Sequence, residues 1–280
     1  MQIMKWMAGL ALVALLSACA AKPAPGPTVT REFGPNVLVL RVDVMPGMLP
    51  MATRFTRLPT VSVYGDGRVL TPAPQPAVYP VPALPSLRVQ QITTANVRHL
   101  VDLASQAGVG SGQDLGSPAI ADAPSTRFTM RTNTGIASTT VLALGMTPDS
   151  SLTAAQRAGR AALRDLVSAL SDLTATFGPL PAPVSFVPAG VAAVAQAWTD
   201  PHDPAVAAPV AVAWPGPALP GTYVGMGLRC VSATGGEGQA VMAAAVHANA
   251  LTPWTSGDGR FTVAIRPLLP DETGCQDLAH

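Results

Sequence analysis

The chain has 280 residues, a formal net charge of +1 and 12 % charged residues, where about 25 % is typical of soluble domains. Hydrophobic residues make up 48 %, which excludes a charge-rich disordered protein, and the near-zero net charge excludes a basic nucleic-acid-binding protein. The 29 prolines and 25 glycines predict a folded body with long irregular connections.

Residues 1–18 have the features of a secretory signal peptide. Lys5 supplies one cation, residues 7–16 form an apolar run, and small residues follow. The run is about half as long as the roughly 20 residues that a membrane-spanning helix needs. We therefore expect this segment to be removed, which leaves 16 basic and 16 acidic side chains in the rest of the chain.

The most specific motif is Leu16-Ser17-Ala18-Cys19, which resembles the lipobox of bacterial lipoproteins, with Leu three positions before Cys and two small residues between them. The resemblance implies cleavage before Cys19, a diacylglyceryl group on its thiol and acylation of the new amine, as by palmitate. The alternative is a signal peptide or membrane helix with an incidental cysteine. Because two or more acyl chains anchor a protein stably, membrane lipid is the expected partner, at the extracytoplasmic face of the cell membrane.

Cys230 and Cys275 are the two remaining cysteines. In an extracytoplasmic compartment they predict one disulfide, which would stabilise the fold by about 4 kcal/mol in the chain-entropy model. A free thiol or a metal pair is the alternative, but no His or Cys lies at ligand spacing near either residue.

The predicted organisation is a Pro- and Ala-rich lipidated tether over residues 19–35, followed by two halves, residues 36–178 and 179–280. The first half begins with a β-rich run over residues 37–44. A hairpin over residues 60–70 follows, with glycines at its turn.

Six prolines in residues 71–86 predict an extended loop. A strand over residues 87–91 precedes a helix that Thr93 or Thr94 can cap and that Gly108 ends. The apolar positions of this helix recur on one face; they are Val97, Leu100, Val101 and Ala104.

A second hairpin is predicted over residues 127–144, followed by a long helix over residues 151–174. The helix has an apolar side formed by Leu152, Ala155, Leu163, Leu166, Leu170 and Leu173. Arg157, Arg160 and Arg164 form a basic stripe on the opposite side. We interpret the stripe as a solvated face; contact with anionic lipid is the alternative.

The second half has predicted strands over residues 191–198, 210–214 and 227–231, then a helix and a hairpin around Gly257 and Gly259. Its strand, helix and hairpin repeat the order of the first half, which suggests an internal duplication, although chance similarity in a biased composition is the alternative. Because alternating βα units are missing, we predict an α+β fold with helices packed on antiparallel sheets.

Few patterns suggest chemistry. Asp200-Pro201-His202-Asp203 holds three possible metal ligands in four residues, but the proline favours an exposed turn. The glycines of residues 108–112 fit no phosphate-binding motif. Residues 235–238 lie at a predicted helix start, where free N–H groups could hold an anion, and we interpret their glycines as a simple turn. The histidines His99, His247 and His280 have no visible partner in the sequence. We therefore predict no catalytic residues, no metal and no cofactor.

The stretch from Leu251-Thr-Pro-Trp254 to Cys275, together with the hairpin Tyr64-Gly-Asp-Gly67, resembles a group of uncharacterised secreted lipoproteins from Actinobacteria, and this resemblance implies no known activity. The expected function is a membrane-anchored envelope lipoprotein that acts as a non-catalytic binding or structural accessory, with an envelope protein as partner. A carrier of an apolar or lipid ligand and a secreted hydrolase are the alternatives. Nucleic acid is not an expected partner.

Overall fold

The computed structural model describes residues 33–146, 151–202 and 209–278. Within these ranges a seven-stranded sheet and a six-stranded sheet pack with five α-helices. The predicted α+β class is confirmed, and all strand pairs are antiparallel except one short parallel pair at an edge of the second sheet. The signal segment, the lipobox and residues 19–32 of the tether lie outside the described residues.

The first sheet has the order β6-β5-β1-β2-β3-β4-β7. Six of its seven strands confirm the predicted strands and hairpins of the first half, with boundaries shifted by at most two residues. The seventh, Val184–Phe186, lies in the predicted second half and was not predicted. The strands are β1 (Leu38–Met45), β2 (Val61–Tyr64), β3 (Arg68–Pro72), β4 (Leu87–Gln91), β5 (Ser125–Arg131), β6 (Ile136–Leu142) and β7 (Val184–Phe186).

The turn between β2 and β3 requires glycine at position 67. Gly67 has a φ of +86°, and a Cβ there would lie 2.1 Å from the carbonyl oxygen of Ile92. A side chain would therefore meet both an unfavourable backbone conformation and a backbone clash. This local signal explains why the sequence predicts the hairpin so directly.

Helices α2 (Thr94–Gln106) and α3 (Ala154–Ser171) cover one face of the first sheet. The Thr93 side chain caps α2 by accepting a hydrogen bond from the Asn96 amide, and all four predicted apolar positions of α2 are buried. The predicted long helix is wrong at its end, because Asp172 breaks it. The Asp172 side chain accepts from the Ala175 amide and begins a separate helix, α4 (Leu173–Phe177).

The basic stripe predicted on α3 is wrong at Arg160. Its side chain is buried, 3 % exposed, and donates to the carbonyl oxygens of Leu115, Leu142 and Ala143 at 3.2, 2.7 and 2.9 Å. Burial, with the nearby charge of Arg164, lowers the pKa of Arg160. The arginine therefore fixes backbone segments to α3 and is no part of a solvated face.

The second sheet has the order β10-β11-β8-β13-β12-β9. Helix α5 (Gly235–Ala245) packs on it, and a 3-10 helix spans Cys275–Leu278. The strands are β8 (Gly190–Ala197), β9 (Val212–Ala213), β10 (Thr222–Gly225), β11 (Leu228–Thr234), β12 (Pro253–Ser256) and β13 (Gly259–Pro267).

Strand β8 lies near the middle of this sheet and buries both of its faces. Because successive side chains alternate between faces, Val191, Ala193 and Ala195 join the core under α5, which also holds Trp254. Ala192 and Val194 face the opposite side, where they join a core that includes Cys230 and Cys275. The small alanines let both layers approach the strand closely.

Elements of the two predicted halves pack against and pair with each other. The short helix α1 (Met51–Thr56) packs on β8 and β13 of the second sheet, and β7, which follows residue 178, pairs with β4 of the first sheet. The matching Arg-Phe-Thr segments of the suggested duplication lie on different strands of their hairpins. Arg127-Phe128-Thr129 lies on the first strand of its hairpin, and Arg260-Phe261-Thr262 lies on the second strand of its hairpin.

The predicted disulfide Cys230–Cys275 is confirmed, with Cα atoms 6.0 Å apart. It joins β11 to the 3-10 helix near the C-terminus. Among the described residues, no helix is long and apolar enough to cross a membrane.

Candidate functional site

A groove of about 440 Å³ lies between the end of β1, helix α1 and the turn that joins β10 to β11. Seven of its nine lining residues are apolar and two are arginines. They are Met45, Pro46, Leu49, Arg54, Phe55, Arg57, Val224, Met226 and Leu278. Its walls therefore come from both predicted halves of the chain.

The loop from Pro46 to Pro50 forms one wall. The prolines end β1, and Gly47 packs so tightly that a Cβ there would lie 2.5 Å from the carbonyl oxygen of Asp122. This close approach holds the loop against the segment that precedes β5 and places Leu49 in the groove. Phe55 of α1 packs into the core beside the disulfide, so α1 is fixed on the same side.

Met226 forms the opposite rim under conformational strain. It lies at the turn between β10 and β11 with a φ of 54°, a left-handed conformation that costs a non-glycine residue roughly 1–2 kcal/mol. Its side chain is 65 % exposed. The fold therefore holds a large, mostly exposed apolar side chain at the groove in a conformation that glycine or asparagine would adopt more easily.

Arg54 and Arg57 bring positive charge to this apolar lining. Arg54 lies in the last turn of α1 and is exposed; Arg57 directly follows the helix and is half-buried. Burial lowers the pKa of Arg57, and the charge of Asp43 acts in the opposite direction. The groove thus combines a polarizable apolar floor with two guanidinium groups.

A buried ion pair fixes the backbone at Arg57. Arg266 of β13 and Glu272 form a bidentate pair in which the Nη2 to Oε1 distance is 2.7 Å, with Nη1 donating to Oε2. Glu272 also accepts from the Leu269 amide at 2.8 Å. The Nε of Arg266 donates to the carbonyl oxygen of Arg57 at 3.0 Å, so the end of α1 is attached to the second sheet.

A second buried polar cluster joins the first sheet to the C-terminal segment. Arg41 donates to Ser62 Oγ at 3.0 Å, to the Tyr64 hydroxyl at 3.3 Å and to Asp271 Oδ1 at 2.8 Å. The Tyr64 hydroxyl donates to the same Asp271 oxygen at 2.7 Å. Burial raises the pKa of Tyr64, and Asp271 adds to the effect while Arg41 opposes it.

Charge neighbours also control Arg41. Burial alone would lower its pKa, but the surrounding Asp271, Tyr64, Glu272 and Asp43 raise it. The sequence contains part of this signal, since Ser62 and Tyr64 alternate with buried valines on β2 and Arg41 is opposite Ser62. Asp271 lies far away in the sequence, and only the fold brings it to this face.

His99, His202 and His247 are not among the described residues that line the groove. His202 lies in an exposed turn, where its backbone amide donates to Asp200 Oδ1 at 2.9 Å, and Asp203 lies outside the described residues. His99 is exposed and stacks edge-on with Phe177 at 5.7 Å; His247 is exposed beyond α5. Cys19, Leu16, Ser17, Ala18 and His280 lie outside the described residues.

Among residues 33–146, 151–202 and 209–278, no group of three or more His, Cys, Asp or Glu side chains is placed to hold a metal ion. Trp254 is fully buried against Trp214, with ring centroids 5.3 Å apart, and belongs to the core under α5. Sequence reasoning missed the groove, because its residues come from three separate segments.

Comparison of the chain with protein-family models, with curated proteins and with solved structures gives no match. The groove combines an open apolar lining, a methionine with a positive φ at its rim and two arginines.

Proposed function

We propose that this protein is a lipid-anchored binding protein of the cell envelope, held by acylated Cys19 at the extracytoplasmic face, that binds an apolar ligand in the groove without transforming it. The lipobox motif Leu16-Ser17-Ala18-Cys19 supports the anchor. A disulfide between Cys230 and Cys275 agrees with an oxidising compartment. Of the expected functions, carriage of an apolar or lipid ligand is the one that the groove favours.

The observation that carries this proposal is Met226, an exposed apolar side chain kept in a left-handed backbone conformation at the rim. Residues held in sparsely populated conformations concentrate at ligand-binding positions. Methionine is also flexible and polarizable, which suits surfaces that adapt to irregular apolar ligands. The groove volume of about 440 Å³ lies within the range of roughly 300–1,000 Å³ that small-molecule sites occupy.

The chemistry of the lining supports binding without catalysis. The nine described residues around the groove include no hydroxyl, thiol, imidazole, amine or carboxylate, so they offer neither a nucleophile nor a general base. The two guanidinium groups that remain are hydrogen-bond donors and have no acceptor atom.

The test uses the full chain in nanodiscs of phosphatidylcholine and a photoactivatable dodecanol as a neutral apolar probe. We expect cross-links at peptides that contain Met45, Phe55 or Met226, and we expect Leu49→Asp to remove them because a carboxylate in the groove disfavours apolar contact. Val184→Asp, at an exposed valine of β7, is the matched control. Labelling that Leu49→Asp leaves unchanged would contradict the proposal.

The anchor has its own test. Cells that express a Cys19→Ser variant should accumulate unprocessed chain without incorporated palmitate, whereas the wild-type chain should incorporate palmitate and be processed. Wild-type chain that takes up no labelled palmitate would rule out the lipidated form.

A further inference from the structure

We infer that the ligand of the groove is a single-chain amphiphile with an anionic headgroup, a carboxylate or a phosphate, which Arg54 and Arg57 hold. This inference rests on the proposed function and specifies its ligand. Three features of the groove support it: the chemistry of the two arginines, a described lining whose charged residues are these arginines, and the attachment of the α1 end to the second sheet.

The two arginines line the same apolar groove, three positions apart at the end of α1. A guanidinium presents several N–H donors in a planar fork that matches the oxygens of a carboxylate or phosphate. An uncharged apolar ligand would leave these donors facing hydrocarbon or water. An amphiphile with an anionic head satisfies them, while its chain covers Leu49, Phe55 and Met226.

The charged residues among the nine described lining residues are the two arginines. Arg57 is half-buried, where desolvation makes its positive charge costly, and the charge of Asp43 offsets part of that cost. An anion bound at the groove adds a negative group to a lining that carries positive charge.

The backbone at Arg57 is fixed by the rest of the fold. Its carbonyl oxygen accepts from Arg266, which the buried Glu272 carboxylate orients. The end of α1, where both arginines lie, is therefore held at the groove before any ligand binds, and binding does not have to order this segment.

The geometry favours one chain of a free amphiphile over the surface of a membrane. Membrane-binding basic segments contain about 4–8 clustered Lys or Arg, and this groove has two arginines. The chain after Ala18 has 16 basic and 16 acidic side chains, so it has no net charge to attract a bilayer. The concave volume of about 440 Å³ suits a single hydrocarbon chain.

The experiment compares two photoactivatable probes of equal chain length, dodecanoate and dodecanol, on the full chain in phosphatidylcholine nanodiscs. We expect dodecanoate to label the groove peptides about tenfold more than dodecanol, the effect of charge-assisted hydrogen bonds. Arg54→Gln/Arg57→Gln should reduce dodecanoate labelling to the dodecanol level and leave dodecanol unchanged. Unlabelled dodecyl phosphate should compete with dodecanoate.

Arg88→Gln/Arg98→Gln removes two exposed arginines elsewhere and should have no effect. Arg54→Lys/Arg57→Lys keeps the charge without the planar fork and should give intermediate labelling. Equal labelling by both probes in the wild-type chain would overturn the headgroup assignment and leave the proposed function intact. Absence of groove labelling by either probe would overturn both. Labelling that both arginine pairs reduce equally would also overturn the headgroup assignment.

Discussion

Met226 and Tyr64 show how single residues divide between ligand binding and stability. Met226 has an unfavourable left-handed backbone conformation at the groove rim, where its side chain is mostly exposed and is not part of the core. Tyr64 is fully buried, with its hydroxyl shared between Arg41 and Asp271. The first residue costs stability without a packing gain, and the second contributes to the attachment between the first sheet and the C-terminal segment.

Met226→Asn should raise the free energy of unfolding by about 1 kcal/mol, because asparagine adopts the left-handed conformation more readily. The same variant should weaken labelling by the dodecanol probe, since the rim loses its apolar side chain. Urea denaturation and cross-linking measure the two effects. Met48→Asn changes another exposed methionine, one without a positive φ, and should do neither. A destabilised Met226→Asn protein would show that the strain argument is wrong.

The raised pKa of Tyr64 predicts that the folded protein loses stability at high pH. The pKa is raised in the folded chain above the ordinary value of 10.0, so the folded state keeps the proton that the unfolded state releases. The contribution is complete below pH 10 and is lost as the pH rises further. In urea titrations at pH 8 to 11, Tyr64→Phe should reduce the decline. Tyr223→Phe, at an exposed tyrosine, should decline as the wild type does; an equal decline in Tyr64→Phe would contradict the prediction.

At the scale of elements, the groove depends on short segments that are held in place by residues far away in the sequence. Helix α1 has no fully buried residue, and it is held because Met51, Ala52 and Phe55 pack beside the disulfide and because Arg266 bonds to Arg57. Leu278 lines the groove and lies in the 3-10 helix that begins at the disulfide-bonded Cys275. These attachments make the groove a product of tertiary contacts.

Removing the disulfide should therefore affect both stability and the groove. Cys230→Ser/Cys275→Ser should lower the free energy of unfolding by about 4 kcal/mol, the chain-entropy estimate for a loop of this length. It should also reduce probe labelling in the folded protein, because the segment that holds Leu278 loses its covalent attachment. Urea denaturation and cross-linking in the absence of denaturant measure these effects. Unchanged stability after removal would contradict the entropic argument.

The elements with strong local signals were predictable. Gly67 marks a hairpin turn, Thr93 caps α2, and the apolar period of α2 selects its buried face. Helix α1 was not predicted, because it has six residues and no apolar period of its own. Arg160 was misassigned because a buried arginine bound to three carbonyl oxygens has the same spacing as an exposed one. Such contacts depend on distant backbone that a local pattern does not contain.

At the scale of the whole molecule, low charge has a consequence for binding. Equal numbers of acidic and basic side chains after Ala18 give no long-range attraction to polyanions, so affinity depends on local features. Residues 33–278, where described, form one compact unit, and both sheets contribute to the groove. In the proposed account, lipid on Cys19 determines where the protein is, and the groove determines what it binds.

Native mass spectrometry of the full chain, purified from membranes in mild detergent, tests the central claim most directly. We predict a wild-type protein with one non-covalently bound single-chain amphiphile, which gentle collisional activation releases, and a Leu49→Asp protein without it. The acyl groups on Cys19 would stay attached under the same activation. A wild-type protein that carries no releasable ligand, or an adduct equally present in Leu49→Asp, would contradict the account.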